Sequence, residues 1–180
     1  MKILILNGSP RMNGNTKTAL KAIESGIDTS NNQVEFLDIT KYSLSGCTGC
    51  NICHTNGGIC IIKDDCIPLV EKICEADTII FGSPVYWWGI TAQLKMLIDK
   101  MYFKNAVLPK QKKNIGIIAV GADNLDGEQY DLISRQFKCI CDYLEWNLII
   151  DEAISAADIG DMFKQTERME ELKNIGKKLK

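Results

Sequence analysis

The sequence predicts a doubly wound α/β fold: a five-stranded parallel sheet in the order 2-1-3-4-5 with helices on both faces. Two observations predict it. Short β-type apolar runs alternate along the 180 residues with longer segments whose apolar residues recur at helical spacing. The first run, Ile3-Leu4-Ile5-Leu6, is continuous, as a strand covered by helices on both sides must be.

The elements follow in β-α order. After the first strand, helical spacing of Ala19, Leu20, Ile23 and Ile27 marks one face of a helix that opens near Asn15-Thr16. Val34 to Asp38 is the second strand, and Ile67 to Cys74 a short helix after a long connection. Thr78 to Phe81 is the third strand, and Leu94, Leu97, Ile98, Met101 and Tyr102 form the next helix face. Ile115 to Val120 is the fourth strand, followed by a helix carrying Ile133, Phe137, Ile140, Cys141 and Leu144. Leu148-Ile149-Ile150 centres the fifth strand, and Ile159, Met162, Phe163, Met169, Leu172 and Ile175 are expected on one closing helix. Right-handed crossovers between parallel strands lay these helices back on the sheet, giving one domain over residues 1–180.

Composition removes several classes. With 21 Lys+Arg against 23 Asp+Glu, the formal charge of -2 lacks the basic excess of a nucleic-acid surface. Lys173, Lys177, Lys178 and Lys180 read as cations at a helix C-terminus. The longest mostly apolar stretch, Thr78 to Ile90, is broken by Gly82, Ser83 and Pro84, which argues against a membrane span. The run behind Lys2 stops at Asn7, too early for a secretory core segment, so a cytoplasmic location is expected. Eight cysteines in that reducing compartment point to metal or redox chemistry rather than disulfides.

Gly8-Ser9-Pro10-Arg11-Met12-Asn13-Gly14-Asn15-Thr16 joins the first strand to its helix. Glycines, hydroxyls and amides at such a turn leave backbone N–H groups and the helix dipole free for an anion. Asn15 stands where a Walker loop has lysine, which suggests a terminal monophosphate held by neutral donors, with Arg11 as the nearby cation. Gly82-Ser83-Pro84-Val85-Tyr86-Trp87-Trp88-Gly89 follows the third strand and faces this loop across the switch point. Phosphate donors opposite aromatics suit a nucleotide with a flat ring, while Trp88 serves equally well as a core or subunit contact. Gly121 opens a third loop at the same edge.

Gly8-Ser9-Pro10-Arg11 through Asn15-Thr16, with Ser83 to Gly89 and Gln93-Leu94-Lys95, resembles the flavodoxin-like NAD(P)H-dependent FMN reductase family over the whole chain. The resemblance implies FMN, with its phosphate on Ser9, Arg11, Asn13, Gly14, Asn15 and Thr16. It implies the isoalloxazine against Pro84, Val85, Tyr86, Trp87 and Gly89, with Gly121 nearby, and NAD(P)H as a possible co-substrate. A homodimer or homotetramer is implied as well.

Thr40 to Asp65 breaks the β-α rhythm and reads as a cysteine-rich insertion loop. Cys47, Cys50 and Cys53 are spaced C-x2-C-x2-C, and Gly57-Gly58 lets the chain turn back to deliver Cys60. The pattern resembles the compact motif of iron–sulfur flavoproteins, which implies a 4Fe–4S cluster; zinc on four thiolates is the chemical rival. Cys66 lies outside the set, and Cys74, Cys139 and Cys141 read as small apolar helix residues. His54 reads as a solvent-facing loop residue, and Asp64-Asp65 as caps for the helix from Cys66. The expected function is an FMN-dependent oxidoreductase passing electrons between the cluster and FMN, with small-molecule or protein redox partners. The alternatives are a cluster-free FMN or quinone reductase and a non-enzymatic flavin-binding regulator or electron carrier.

Overall fold

The computed structural model describes residues 1–179, so of the C-terminal cations Lys180 lies outside the described residues. Five parallel strands, β1 (Lys2–Asn7), β2 (Gln33–Asp38), β3 (Thr78–Pro84), β4 (Asn114–Gly121) and β5 (Asn147–Ser155), form one sheet in the order β2-β1-β3-β4-β5. The helices are α1 (Asn15–Gly26), α2 (Cys66–Glu75), α3 (Ala92–Lys100), α4 (Glu128–Leu144), α5 (Asp161–Lys164) and α6 (Thr166–Lys177). No described helix is long and apolar enough to cross a membrane.

Alternation along β1 explains the layering. Leu4 and Leu6 join the core under α2, α3 and α4, whereas Ile3 and Ile5 join the core under α1, α5 and α6. The three central strands are buried almost throughout, which is why they read as continuous apolar runs. The edge strand β5 is half exposed and carries Asp151 and Glu152, so its nine residues exceed the three apolar ones legible in the sequence. Its register shifts between Ile115 and Gly116, where Ile149 is the extra residue of a bulge.

Two expectations need correction. The closing helix is two helices, broken at Gln165, whose side chain donates to Ser155 O at 2.8 Å and whose backbone leaves the helical region. Met162 and Leu172 reach the core, but Ile159 and Phe163 are exposed. The third helix stops at Lys100, and Met101–Lys104 continues as a tighter 3-10 turn that exposes Tyr102. Against α1, helix α6 packs backbone to backbone: a Cβ on Gly26 would fall on the Lys173 carbonyl, and one on Gly176 on the Ile23 carbonyl.

Asn7 and Asp38 tie the ends of β1 and β2 together. Asn7 donates to Asp38 Oδ1 at 2.9 Å, and Lys17 and Lys41 pair with the same carboxylate at 2.8 and 3.1 Å. Burial would raise the Asp38 carboxyl, but these partners outweigh it and hold its pKa near about 2, below the ordinary 3.8. The folded state therefore gains stability above the ordinary value and loses it as pH falls towards 2. The expected gain at neutral pH is on the order of 2 kcal/mol. Asp38→Asn should unfold at lower temperature than the wild type at pH 7, with the gap narrowing from pH 4 down to pH 2. Parallel thermal-melt profiles across that range would show that the carboxylate is not coupled to folding.

Candidate functional site

The loop after β1 is shaped by its own side chains. Asn7 Oδ1 accepts from Ser9 N at 3.2 Å, Ser9 Oγ accepts from Arg11 N at 3.2 Å, and Gly14 N closes back on Arg11 O at 3.1 Å. Helix α1 starts at Asn15 with no side-chain cap and no acidic residue in its first turn, so the positive end of its dipole faces the cleft without a competing anion. Beneath, Gly8 N donates to Gly82 O at 2.8 Å, and Thr91 Oγ1 donates to Gly8 O at 2.9 Å. A Cβ on Gly82 would strike the Leu20 side chain at 2.5 Å, so α1 sits directly on β3.

Four carboxyl-end segments border a cleft of about 160 Å³, lined by Ser9, Arg11, Gly14, Asn15 and Thr16, by Pro84, Val85 and Tyr86, by Val120, Gly121 and Ala122, and by Ala156 and Ala157. The last pair, beyond β5, was not anticipated, because two alanines carry no chemical signal. Asn15 faces the cleft through its helix terminus, while its side chain is committed elsewhere. It donates to Ala156 O and Asp158 O at 3.2 and 2.8 Å and accepts from Gly160 N and Met162 N at 3.1 and 3.2 Å. Asn13 is turned away and lines a separate groove with Lys17, Lys21 and Phe163.

Trp87 and Gly89 also fall outside the cleft lining. Tyr86 and Gly89 exchange hydrogen bonds of 2.9 and 3.1 Å, leaving Trp87 and Trp88 as a two-residue turn with φ of 48° and 60°. At the tip of this turn Trp87 is 92% exposed and Trp88 56%, so both indoles stand free of the chain's own core beside the cleft.

The insertion loop is zipped at its base. Ser43 N donates to Asp65 Oδ2 at 2.7 Å, and Ser45 N to Asp64 Oδ2 at 2.8 Å. Asp64 Oδ1 also accepts from Cys66 N at 3.0 Å, so the predicted cap is Asp64, shared with the loop. Between these anchors Cys47, Cys50, Cys53 and Cys60 line one small cleft. Gly57 and Gly58 have φ of 79° and 80°, and Gly58 N donates to Cys53 O at 3.0 Å, reversing the chain ahead of Cys60. Two donors point at sulfur: Gly49 N to Cys47 Sγ at 3.4 Å and Lys100 Nζ to Cys60 Sγ at 3.5 Å. Among the described residues, no three of His, Cys, Asp and Glu converge on a single-ion position.

Lys100 gave no sign in the sequence, where it is one of several lysines on an amphipathic helix. It is 1% exposed and pairs with Asp64 at 3.1 Å. Burial would lower its pKa, but the Asp64 carboxylate outweighs burial and raises it. Cys66 lies outside the cleft, buried against Ser45 O, and burial pushes its thiol up to about 11. Cys141 is buried as expected of a small apolar residue, whereas Cys139 is exposed. His54 stacks beside Tyr102, with ring centroids 4.9 Å apart.

A 2-1-3-4-5 parallel sheet with a cleft at the carboxyl ends of β1, β3 and β4 defines a flavodoxin-like α/β protein. The comparisons make the assignment specific. The chain belongs to the NADPH-dependent FMN reductase family, whose match spans residues 1–143. It is 42% identical over 134 residues to an iron–sulfur flavoprotein of Methanocaldococcus jannaschii, covering 72% of this chain and 66% of that protein. It is 38% identical over 101 residues to an iron–sulfur flavoprotein of Archaeoglobus fulgidus, covering 56% of this chain and 46% of that one. These matches thus span between about half and two thirds of the relatives' length. A solved azoreductase from Bacillus anthracis superposes with a TM-score of 0.74 at 16% identity, over 99% of this chain and 100% of that one, which speaks for the fold.

The residues fit the groups this family implies. The uncapped α1 terminus, Arg11 and the hydroxyls of Ser9 and Thr16 are suited to a phosphate, and buried Gln129 Nε2, which has no hydrogen-bond partner, lies close to Gly121. Four thiols around one cleft, with two donors to sulfur, make a donor set suited to a thiolate-held metal centre.

The Asn15 side chain is expected to act as a staple between α1 and the segment after β5. Asn15→Asp would lose both donors and set a carboxylate against two carbonyls, costing about 2 kcal/mol or more. Urea unfolding of the flavin-free protein should show that loss, and an unchanged midpoint would assign the side chain to the ligand instead.

Proposed function

We propose that this chain is an FMN-dependent oxidoreductase of the iron–sulfur flavoprotein kind, folded as one domain over residues 1–180 with the loop at about 40–65 as its insertion. The observation that carries this reading is the gathering of Cys47, Cys50, Cys53 and Cys60 around one cleft, in a loop that leaves β2 at the same sheet edge as the nucleotide cleft. The backbone donors of residues 9–16, with Arg11, hold the FMN phosphate. Pro84, Val85, Tyr86 and Gly121 border the ring. Asn13 and Trp87 take no part in the lining of one chain, and Gly89 serves by closing the Trp87-Trp88 turn.

FMN held in the cleft would supply chemistry that takes electrons in pairs and releases them singly, which suits a hydride donor such as NAD(P)H on one side and a one-electron acceptor on the other. The chain's own groups bind and orient; no acid or base side chain is needed in the cleft. The thiolates of Cys47, Cys50, Cys53 and Cys60 would hold a 4Fe–4S cluster, which would supply a one-electron port to a small-molecule or protein partner. The protein works in the cytoplasm as a homo-oligomer, with neither a membrane nor a nucleic acid as partner.

The test is anaerobic reconstitution with iron and sulfide. Wild-type protein should take up both together with FMN. Serine at any one of Cys47, Cys50, Cys53 or Cys60 should lower iron several-fold while FMN stays bound, and Cys66→Ser should keep its iron. Wild-type protein that takes up FMN but neither iron nor sulfide leaves a cluster-free flavin reductase.

A further inference from the structure

Lys100 is the most deeply buried charge in the molecule's described polar core, at 1% exposure, and its two hydrogen-bond partners are Asp64 Oδ2 at 3.1 Å and Cys60 Sγ at 3.5 Å. Its neighbours, Leu97 on α3 and Met101 in the 3-10 turn that follows, fill the same core with apolar groups. A buried ion pair is rarely more stabilising than a well-packed apolar pair of similar size, so the pair's stability does not explain its presence. Its position is more specific than that. The ammonium forms part of the wall around the four cysteines, at the end of α3, where the helix's negative pole helps to hold a cation. Asp64, 4% exposed, is itself fixed by Ser45 N and Cys66 N on the two sides of the loop.

Four thiolates outweigh the positive charge of an iron–sulfur core, so such a site is anionic and gains one further negative charge when an external reductant gives it an electron. A fixed cation bonded to one sulfur favours that more negative state, and hydrogen bonds to sulfur and local charge are known levers on cluster potentials. We propose that Lys100 is the charge-compensating positioning residue of the four-cysteine site: held by Asp64, it donates to Cys60 Sγ and raises the potential at which the site accepts an electron. Asp64 limits the effect by neutralising part of that charge. This proposal rests on the cluster reading above.

The experiment uses full-length protein, reconstituted anaerobically and titrated potentiometrically while the cluster spectrum is followed, with FMN content and thermal midpoint reporting the fold. Lys100→Gln should lower the cluster's midpoint potential by at least the equivalent of a tenfold change in the ratio of its two states, 59 mV for one electron. Lys100→Arg should stay within a few-fold of wild type. Asp64→Asn, which keeps an oxygen for Ser45 N, should shift the potential the opposite way, upwards; a merely structural pair would not produce shifts of opposite sign. If wild-type protein takes up no iron, the cluster reading fails and this proposal falls with it. If wild type loads but Lys100→Gln titrates at the wild-type potential, the proposal alone is overturned. Should Lys100→Gln lose its iron, Asp64→Asn decides, and the absence of an upward shift overturns it.

Discussion

The contact on which the molecule turns is the crossing of Gly8 over Gly82, where β1 and β3 end. Gly8 N donates to Gly82 O, Thr91 clamps Gly8 from the start of α3, and Leu20 of α1 occupies the space a side chain on Gly82 would need. Two absent side chains bring strand, strand and helix to van der Waals distance at the switch point of the sheet. The direction of α1, the aim of its terminal N–H groups and the width of the cleft all follow from that approach.

A second, polar constraint organises the other half of the site. Asp64 links the two sides of the insertion loop and at the same time neutralises Lys100. A segment with little apolar surface of its own is held by a buried carboxylate with three partners, so the cysteines are presented by hydrogen bonding more than by packing. The Trp87-Trp88 turn shows the reverse economy. Two bulky residues adopt left-handed backbone at roughly 1–2 kcal/mol each while leaving their indoles largely in water.

The central strands were legible because burial on both faces forces continuous apolar runs, and the meeting of four cysteines at one cleft because the short gaps between them are written directly in the chain. The edge strand β5 was only partly legible, since Asp151 and Glu152 break the apolar signal in a strand open to solvent. The break at Gln165 depends on a hydrogen bond to Ser155, a tertiary event with no local signature. The same holds for the site. Lys100 looks like any surface lysine until α3 turns it inward, and Asn15 looks like a ligand donor until the segment beyond β5 claims all its hydrogen-bonding capacity.

The backbone contact between α1 and α6 bears on how far the family match can be read as a physical unit. That match ends at residue 143, before β5, α5 and α6 begin. Yet Gly176 lies on Ile23, Asn15 is bonded to residues 156–162, and Ala156-Ala157 complete the cleft. A chain cut after α4 would bare the unpaired edge of β4 and strip one face of α1. The shared, recognisable segment is therefore not an autonomous folding unit. The segment beyond the matched residues is the buttress that keeps the matched part in shape.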